Sequence, residues 1–447
     1  MTTSETRFEF SDWQLDGRTL RLRYALMNSA YGDQRFEEVI RLPPTLPAPN
    51  ASDPAIRAAI ELVHFTFGVS YYKVASPPRV SARPVAEPLG KFLDMLYSEG
   101  LGEFYFRNAI SLEKRAHFER GAKADPQAPY ARPARERALV LVGGGKDSVV
   151  AREALRHAGV ECDAISMGTA HWIETSARAM DVTHHVIQRT LDPKLFALND
   201  RGAPNGHVPI SACIAAVTLL AAIAGGYTAI IAANERSADE GNTTWSGIEV
   251  NHQWSKSYRF ETAFRSVAES LIQGAPPYLS ILRPLSELSI SRKFTQHPRY
   301  HAAVSSCNKN FRIHEPRGER RWCGECPKCV FVYLMVAAHA EPDVVTNIFG
   351  SDFLDDPKNL DTLADLTGVG GMKPFECVGT PLECRAALGR LHARGRLSPS
   401  IRLWYEQTVK ADAAREHADW TESMTSSDSY KLPENWRARL DAYLAAQ

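Results

Sequence analysis

The sequence has no excess of either charge. Lysine and arginine total 52, aspartate and glutamate also total 52, and the formal net charge is zero. Chains that neutralise long runs of nucleic-acid phosphate are usually basic overall. The balance therefore argues against bulk nucleic-acid binding and leaves room only for a local basic patch. The first residues, MTTSETRFEF, lack a basic stretch followed by an apolar one, so no secretory signal is expected. Internal repeats and long low-complexity tracts are missing too. One uncharged run, 208–234, reaches bilayer length. It is rich in alanine, is cut by Gly225-Gly226 and lacks basic flanks, which predicts a buried helix over about 209–224 and a buried strand over about 227–233 rather than a membrane span. Cysteine is sparse: eight in 447 residues, as expected of a protein of the reducing cytoplasm.

The chain is too long for one typical core, and two or three domains are expected. With 44% hydrophobic and 23% charged residues, it has the composition of a soluble globular protein. RFEFSDWQL and TLRLRYALM alternate apolar and polar residues around Asp16-Gly17, which predicts a hairpin. Helical periodicity at 53–66 and 87–98 completes a mixed α+β N-terminal domain over 1–130, and the Pro- and Arg-rich 123–137 reads as a linker. From RALVLVGG onward, apolar strands alternate with helices. That pattern predicts an α/β domain over 138–345 with a doubly wound parallel sheet. A helical region, 346–447, follows.

The stretch LVGGGKDSVV, 141–150, falls between the first strand of the α/β region and its helix. Ligands of doubly wound sheets bind at the carboxyl ends of strands. Gly143, Gly144 and Gly145 let backbone N–H groups approach an anion, and the helix N-terminus adds a positive dipole. Lys146 adds charge and Ser148 a hydroxyl. Asp147 beside phosphates makes sense as a ligand for magnesium. A Walker A loop is excluded, because Asp147 follows the lysine and Val140 stands where its first glycine belongs. The dinucleotide fingerprint fails at Ser148. The alternative is a glycine-rich turn without a ligand.

Cys307 stands apart from Cys323, Cys326 and Cys329 in CGECPKC. A distant cysteine followed by two CxxC steps suits a closed tetrahedral four-cysteine zinc site, structural rather than catalytic. Free buried thiols are the alternative. Arg312, Arg317, Arg320 and Arg321 lie between the cysteines, where they would suit nucleic acid or a diphosphate on a small substrate. In ANERSADEGNTTW, Asn234, Glu235, Arg236, Asp239 and Glu240 are candidate substrate or metal contacts, because the segment follows the fourth strand of the parallel sheet and faces the same crevice as the glycines. A solvated charged loop is equally compatible with its composition. NHQWSKSYRFETAF carries His252 and Lys256, and KPFECVGTPLEC carries Cys377. A thiolate is able to remove a carbon-bound proton, whereas a lone cysteine is more often simply buried.

GGGKDS resembles the SGGxDS signature of the PP-loop ATP pyrophosphatases, with Gly143 in place of its serine. That resemblance implies cleavage of ATP between the α and β phosphates, with the loop on the pyrophosphate and adenine near Met167 and Gly168. The CGxCxxC segment is also similar to that of the zinc-containing 7-cyano-7-deazaguanine synthases. A lysine typical of those enzymes is replaced here by Ile290, and their substrate motifs are missing. Taken together, GGGKDS, NERSADEGNT, NHQWSKSYRFE, CGECPKC and KPFECVGT resemble the UDP-N-acetylmuramoyl-L-alanyl-L-glutamate epimerases (MurL) of peptidoglycan synthesis over about 138–385. The resemblance implies ATP- and magnesium-dependent inversion of the terminal L-glutamate of a nucleotide-linked muramyl dipeptide; by their charge, Arg317 and Arg321 are candidate contacts to the diphosphate of such a substrate. It implies neither a membrane nor a nucleic-acid partner. His252, Lys256 and Cys377 remain equal candidates for moving the α-proton. Two other classes stay open: a PP-loop enzyme adding nitrogen or sulfur to an adenylated carboxylate or base, and a nucleotide-gated zinc module that binds nucleic acid. Oligomeric state is not legible.

Overall fold

The computed structural model describes residues 5–111, 115–121, 127–311, 321–430 and 432–445. The chain opens with β1 (Arg7–Asp16), β2 (Thr19–Ser29) and β3 (Gly32–Arg41), an antiparallel meander. Asp16 pairs with Thr19 around Gly17, whose φ of +56° suits glycine. β4 (Arg79–Ser81) runs parallel to β1. Next come β5 (Ala128–Pro129), β6 (Ala138–Leu141), β7 (Cys162–Met167), β8 (His184–Thr190) and β9 (Ala229–Ala232). β10 (Thr243–Trp245) and β11 (Ile248–Val250) form a small hairpin, β12 (Ile272–Gln273) pairs with β5, and β13 (Tyr278–Ser280) closes the set.

One nine-stranded sheet, in the order β13-β9-β6-β7-β8-β3-β2-β1-β4, runs through the fold. Its first five strands are parallel. The meander joins them edge to edge: β3 pairs antiparallel with β8, Val39 opposite Thr190. At this seam Arg189 of β8 forms a buried ion pair with Glu38 of β3. Such a pair specifies register more than it stabilises.

Alternation along the parallel strands sorts side chains onto two faces. Leu139, Ile165, Ile230 and Ala232 enter a core shared with helices Pro54–Phe67, Glu87–Ser98, Ile210–Gly225 and Tyr258–Leu271. Val140, Ala164 and Ile231 enter a second core with Lys146–His157, Glu287–Thr295, Pro327–Ala337 and Pro381–Ala393. Helix Ile210–Gly225 is apolar on nearly every side because it is enclosed by protein. It ends at Gly226, φ +68°, and β9 follows. No helix among the described residues is long and apolar enough to cross a membrane. The C-terminal part adds helices Leu360–Thr367, Pro381–Ala393, Pro399–Thr408, Ala413–Met424 and Glu434–Ala445.

The segment ANERSADEGNTTW, whose composition suits a solvated charged loop, contains the 3-10 turn Arg236–Asp239 and β10. The topology positions the site. From β6 the chain winds outward through β7 and β8, then crosses to the other side of β6 to make β9. The segments leaving β6 and β9 therefore flank the crevice where strand order reverses, the usual ligand position in such sheets.

Candidate active site

The glycine loop leaves β6 at this crevice. Gly144 has φ +85°, and a Cβ there would lie 3.2 Å from the backbone of Trp172 and Ile173. At Gly145 a Cβ would lie 2.7 Å from Ser306 Oγ, whereas at Gly143 it would meet open space. Gly144 is thus required by its backbone conformation and close packing, Gly145 is crowded by one serine side chain, and Gly143 leaves a surface exposed. Gly145 is the N-cap of helix Lys146–His157 and supplies no side-chain cap. The orphan N–H groups of the first turn are therefore left to bind an anion. Ser148 Oγ donates to the Gly145 carbonyl at 3.0 Å. Met167 and Gly168 end β7 two strands' width from β9, and Gly168 turns the chain with φ +95°.

Asp147 does not stand alone. Its carboxylate lies within 4.8 Å of those of Glu235 and Glu287, close enough for the three to share an ion. Lys146 is buried against this cluster, 2.5 Å from Asp147 Oδ1 and in contact with Glu287. Lys328 Nζ is 3.6 Å from Glu287. Burial opposes ionisation of Glu287, but Lys146 and Lys328 outweigh it and hold its carboxyl at about 2. Glu235 is different. It is 5% exposed, and burial together with the charges of Glu287 and Asp147 pushes it up to about 7. A divalent cation placed among the three would relieve that strain.

A second cluster lies beside the first. Lys256 Nζ donates to Cys377 Sγ at 3.2 Å. The His252 side chain also favours the ionised form of this sulfur, and its Nδ1 lies 2.5 Å from Glu103 Oε2. Burial resists ionisation of Cys377, yet Lys256, His252 and Lys328 overcome it and lower the thiol to about 5. His252 responds reciprocally: against burial, Cys377 and Glu103 raise it to about 9. Cys377 is thus a thiolate near neutrality, which is the reactive form. Lys256 also feels Glu235 and Asp147, which help to hold it charged. The three proton-transfer candidates, His252, Lys256 and Cys377, therefore converge, and Lys256 links them electrostatically to Asp147 of the glycine loop.

The cysteine cluster is tied to this region through Lys328. Sγ atoms of Cys307, Cys323, Cys326 and Cys329 all lie within 4.8 Å of one another, an arrangement able to hold a metal. Cys323 and Cys329 Sγ are 3.7 Å apart, close to the roughly 3.8 Å edge of a tetrahedron with bonds of about 2.3 Å. Cys323 Sγ accepts N–H groups from Glu325 and Cys326 at 3.5 and 3.3 Å around Gly324, φ +75°. Cys326 caps helix Pro327–Ala337. Lys328, between the last two cysteines, reaches Glu287, and its backbone N–H donates to Glu376 at 2.8 Å, one residue before Cys377.

The other expected contacts are placed as follows. Asn234 donates to Ser280 at 3.0 Å within the core. Arg236 donates to the carbonyls of Glu422, Ser423 and Thr425 at the end of helix Ala413–Met424. Asp239 accepts the N–H of Tyr258 at 2.6 Å, and Glu240 pairs with Lys373 at 3.4 Å. Arg321 donates to the carbonyls of His301, Asn347 and Ile348. Arg312, Arg317 and Arg320 lie outside the described residues. Glu103, His207, Glu287 and Lys328 were not singled out by sequence. SELSI reads as an ordinary capped helix start, GEFYFR as an apolar helix and CPKC as metal ligands alone.

Two cavities flank 236–259. One, of about 980 Å³, is lined by Arg236, Glu240, Thr380, Glu383, His417 and Tyr430 among others; another, of about 630 Å³, includes Arg115, Trp245, Asn251, Trp254 and Tyr258. Both share Asp239, and the second abuts His252 through Asn251.

Comparison with known proteins identifies the family. Residues 1–281 match the MurL N-terminal domain and residues 303–424 the MurL C-terminal domain. The chain belongs to the MurL family. Curated relatives agree over most of its length. A Micromonospora protein is 38% identical over 426 residues, 94% of this chain and 93% of its own. One from Xanthomonas oryzae pv. oryzae is 41% identical over 361 residues, 80% and 78% of the two chains, and one from Salinispora tropica 40% over 367, 80% and 79%. All three bear the name UDP-N-acetyl-alpha-D-muramoyl-L-alanyl-L-glutamate epimerase. In MurL terms, the N-terminal family region contributes the glycine loop, Glu103, His252 and Lys256, whereas the C-terminal one contributes the cysteines and Cys377. The site is assembled where the two meet.

Proposed function

We propose that the protein is an ATP-dependent epimerase that inverts the terminal L-glutamate of the nucleotide-linked muramyl dipeptide, releasing AMP and pyrophosphate, in peptidoglycan precursor synthesis. One observation carries this reading: the carboxylate of the glycine loop and a thiolate–ammonium pair adjoin in one charged cluster, Asp147 and Glu235 beside Lys256, and Lys256 on Cys377.

The chemistry explains why both halves are needed. An α-hydrogen next to a carboxylate is a very poor acid, because its removal puts a second negative charge beside the first. Transfer of AMP to that carboxylate gives a neutral acyl phosphate ester, and the carbanion then delocalises as an enolate. Backbone N–H groups of 143–148 would stabilise the departing pyrophosphate. Asp147, with Glu235 and Glu287, would hold magnesium, which neutralises phosphate charge when bound.

Cys377 then takes the α-proton: the proton leaves carbon for the thiolate while the bonding electrons stay on carbon as the enolate. Lys256, 3.2 Å from the sulfur, lies on the same side and offsets the charge of thiolate and enolate. Inversion comes from a proton returned to the opposite face by water, and the hydroxide so formed takes the thiol proton, which restores the starting charges. Water releases AMP from the ester. The four cysteines fit structural zinc, which would fix Lys328 and, through Glu376, the segment carrying Cys377.

The test is incubation with ATP, Mg²⁺ and the L-Ala-L-Glu muramyl nucleotide, reading AMP, pyrophosphate and glutamate chirality. Inversion with AMP release is expected. Inversion without AMP would remove adenylation; AMP with a product that has gained nitrogen or sulfur would replace the epimerase reading.

A further inference from the structure

Helix Gly102–Arg107 belongs to the N-terminal part of the chain, far in sequence from Cys377, yet it grips the Cys377 segment directly. Phe106 packs on Phe375 with ring centroids 5.5 Å apart, and the Arg107 guanidinium sits 4.7 Å above the same ring. Glu103, 5% exposed, divides its two oxygens. Oε1 accepts from Arg107 at 2.7 Å and Oε2 faces His252 Nδ1 at 2.5 Å. His252 is held against the Cys377 segment through Asn242, which accepts its backbone N–H at 2.8 Å and donates to the Pro374 carbonyl at 2.7 Å, and its side chain favours the ionised sulfur. Its ring centroid lies 4.5 Å from that of His207, the planes tilted by 45°, and His207 Nδ1 is 3.7 Å from Glu103.

We propose that Glu103 acts through His252 on Cys377 as the positioning carboxylate of a Cys–His–Glu relay, so that the N-terminal region completes the proton-transfer site. The assignment of Cys377 as the atom that takes the proton rests on the epimerase reading; the action of Glu103 on the sulfur does not. A carboxylate on one ring nitrogen fixes the imidazole's orientation and directs the opposite N–H to its partner. The groups facing the sulfur are Lys256, His252 and Lys328, and those facing His252 are Glu103, His207, Cys377 and Glu376. Lys256 contacts the sulfur but is independent of Glu103, so removing Glu103 weakens one of two supports.

Glu103, His207 and His252 are also close enough to hold an ion. The direct contact favours the relay. Nitrogen and oxygen 2.5 Å apart are nearer than two ligands on one metal, which with bonds of about 2.0 Å lie roughly 2.9–3.3 Å apart.

The experiment measures iodoacetamide alkylation of Cys377 against pH in the full-length protein, mapped by peptide mass, for wild type, Glu103→Gln and Glu103→Asp. Glu103→Gln should raise the midpoint by about one pH unit, and Glu103→Asp should restore most of it. An unchanged midpoint in a folded Glu103→Gln protein would overturn the relay. So would loss of a bound metal ion in His207→Ala. Substrate turnover is scored separately. A shifted midpoint in a protein that does not invert glutamate would uphold the relay and end the epimerase reading, and the reverse pattern would do the opposite. With turnover established, Glu103→Gln should lower kcat about 10-fold or more at near-constant KM.

Discussion

Two regions of the molecule use sulfur, in opposite ways. In the four-cysteine cluster every thiol meets other thiols, three of them within seven residues of chain. At Cys377 a single thiol meets an ammonium and an imidazole delivered by 252–256, and behind them a carboxylate from helix Gly102–Arg107. The first arrangement saturates its sulfurs and suits a metal. The second leaves Cys377 half-buried and ionised, without a partner sulfur. Ligand spacing makes a structural site, whereas charged neighbours from distant segments make a reactive one.

The largest effect should come from breaking the first region. Cys329→Ser, or prolonged chelation, removes one corner of a tetrahedron whose metal contributes on the order of 10 kcal/mol in small zinc modules. Loss of bound zinc and collapse of cooperative thermal unfolding are expected, checked by metal analysis and calorimetry. If Cys329→Ser unfolded at the wild-type temperature, the cluster would not be a structural metal site.

Breaking the second region should spare the fold. Cys377→Ser should melt within a few degrees of wild type, yet lose about 10²–10⁴-fold in epimerisation. ATP-dependent activation of substrate should persist, seen as exchange of labelled pyrophosphate into ATP. Retained inversion would shift the proton transfer to Lys256 or His252.

A milder probe is pH. Activity needs Cys377 ionised, so it should rise through about 5, the lowered value of that thiol. It should fall as His252 loses its proton near 9. Stability follows the same signs. The depressed Cys377 value stabilises the fold fully above its ordinary 9.0, and this is lost as pH falls through about 5. The raised His252 value stabilises fully below 6.5 and is lost as pH rises through about 9. Measuring kcat/KM and urea midpoints between pH 4 and 10, for wild type and Cys377→Ser, checks both; a profile unaltered in Cys377→Ser would separate the limbs from this pair.

The same contrast explains what sequence made legible. The parallel strands, the uncharged helix–strand pair at 208–234 and the glycine loop follow from local periodicity and turn chemistry. The group of four cysteines follows from spacing, and KPFECVGT and NHQWSKSYRFE mark the right segments. Edge-to-edge joining of β3 to β8 was not legible, since no local pattern specifies which strand edges meet. Nor was Glu103, because nothing in EGLGEFYFR distinguishes a carboxylate aimed at an imidazole from one facing water. Arg236 and Arg321 looked like substrate contacts by charge, yet both guanidiniums are engaged by backbone carbonyls.

The smallest effect is the most discriminating, because Lys328 belongs to both regions. It sits between Cys326 and Cys329, so zinc would fix its backbone, while its ammonium lies 3.6 Å from Glu287 and helps ionise Cys377. Lys328→Met keeps the helix N-terminus, the backbone N–H on Glu376 and most of the aliphatic packing. Only the charge goes. Lys146 still neutralises Glu287, and Lys256 and His252 still face the sulfur, so a drop in kcat of about 3- to 10-fold is expected rather than abolition, roughly 0.7–1.4 kcal/mol. Zinc content and melting temperature should not change. The alkylation midpoint of Cys377 should move upward, because one of its three cations is removed. If Lys328→Met lost zinc along with activity, the two regions would be one structural unit and the contrast between them would fail. If it changed neither activity nor the Cys377 midpoint, the cysteine cluster would stabilise the fold without reaching the chemistry.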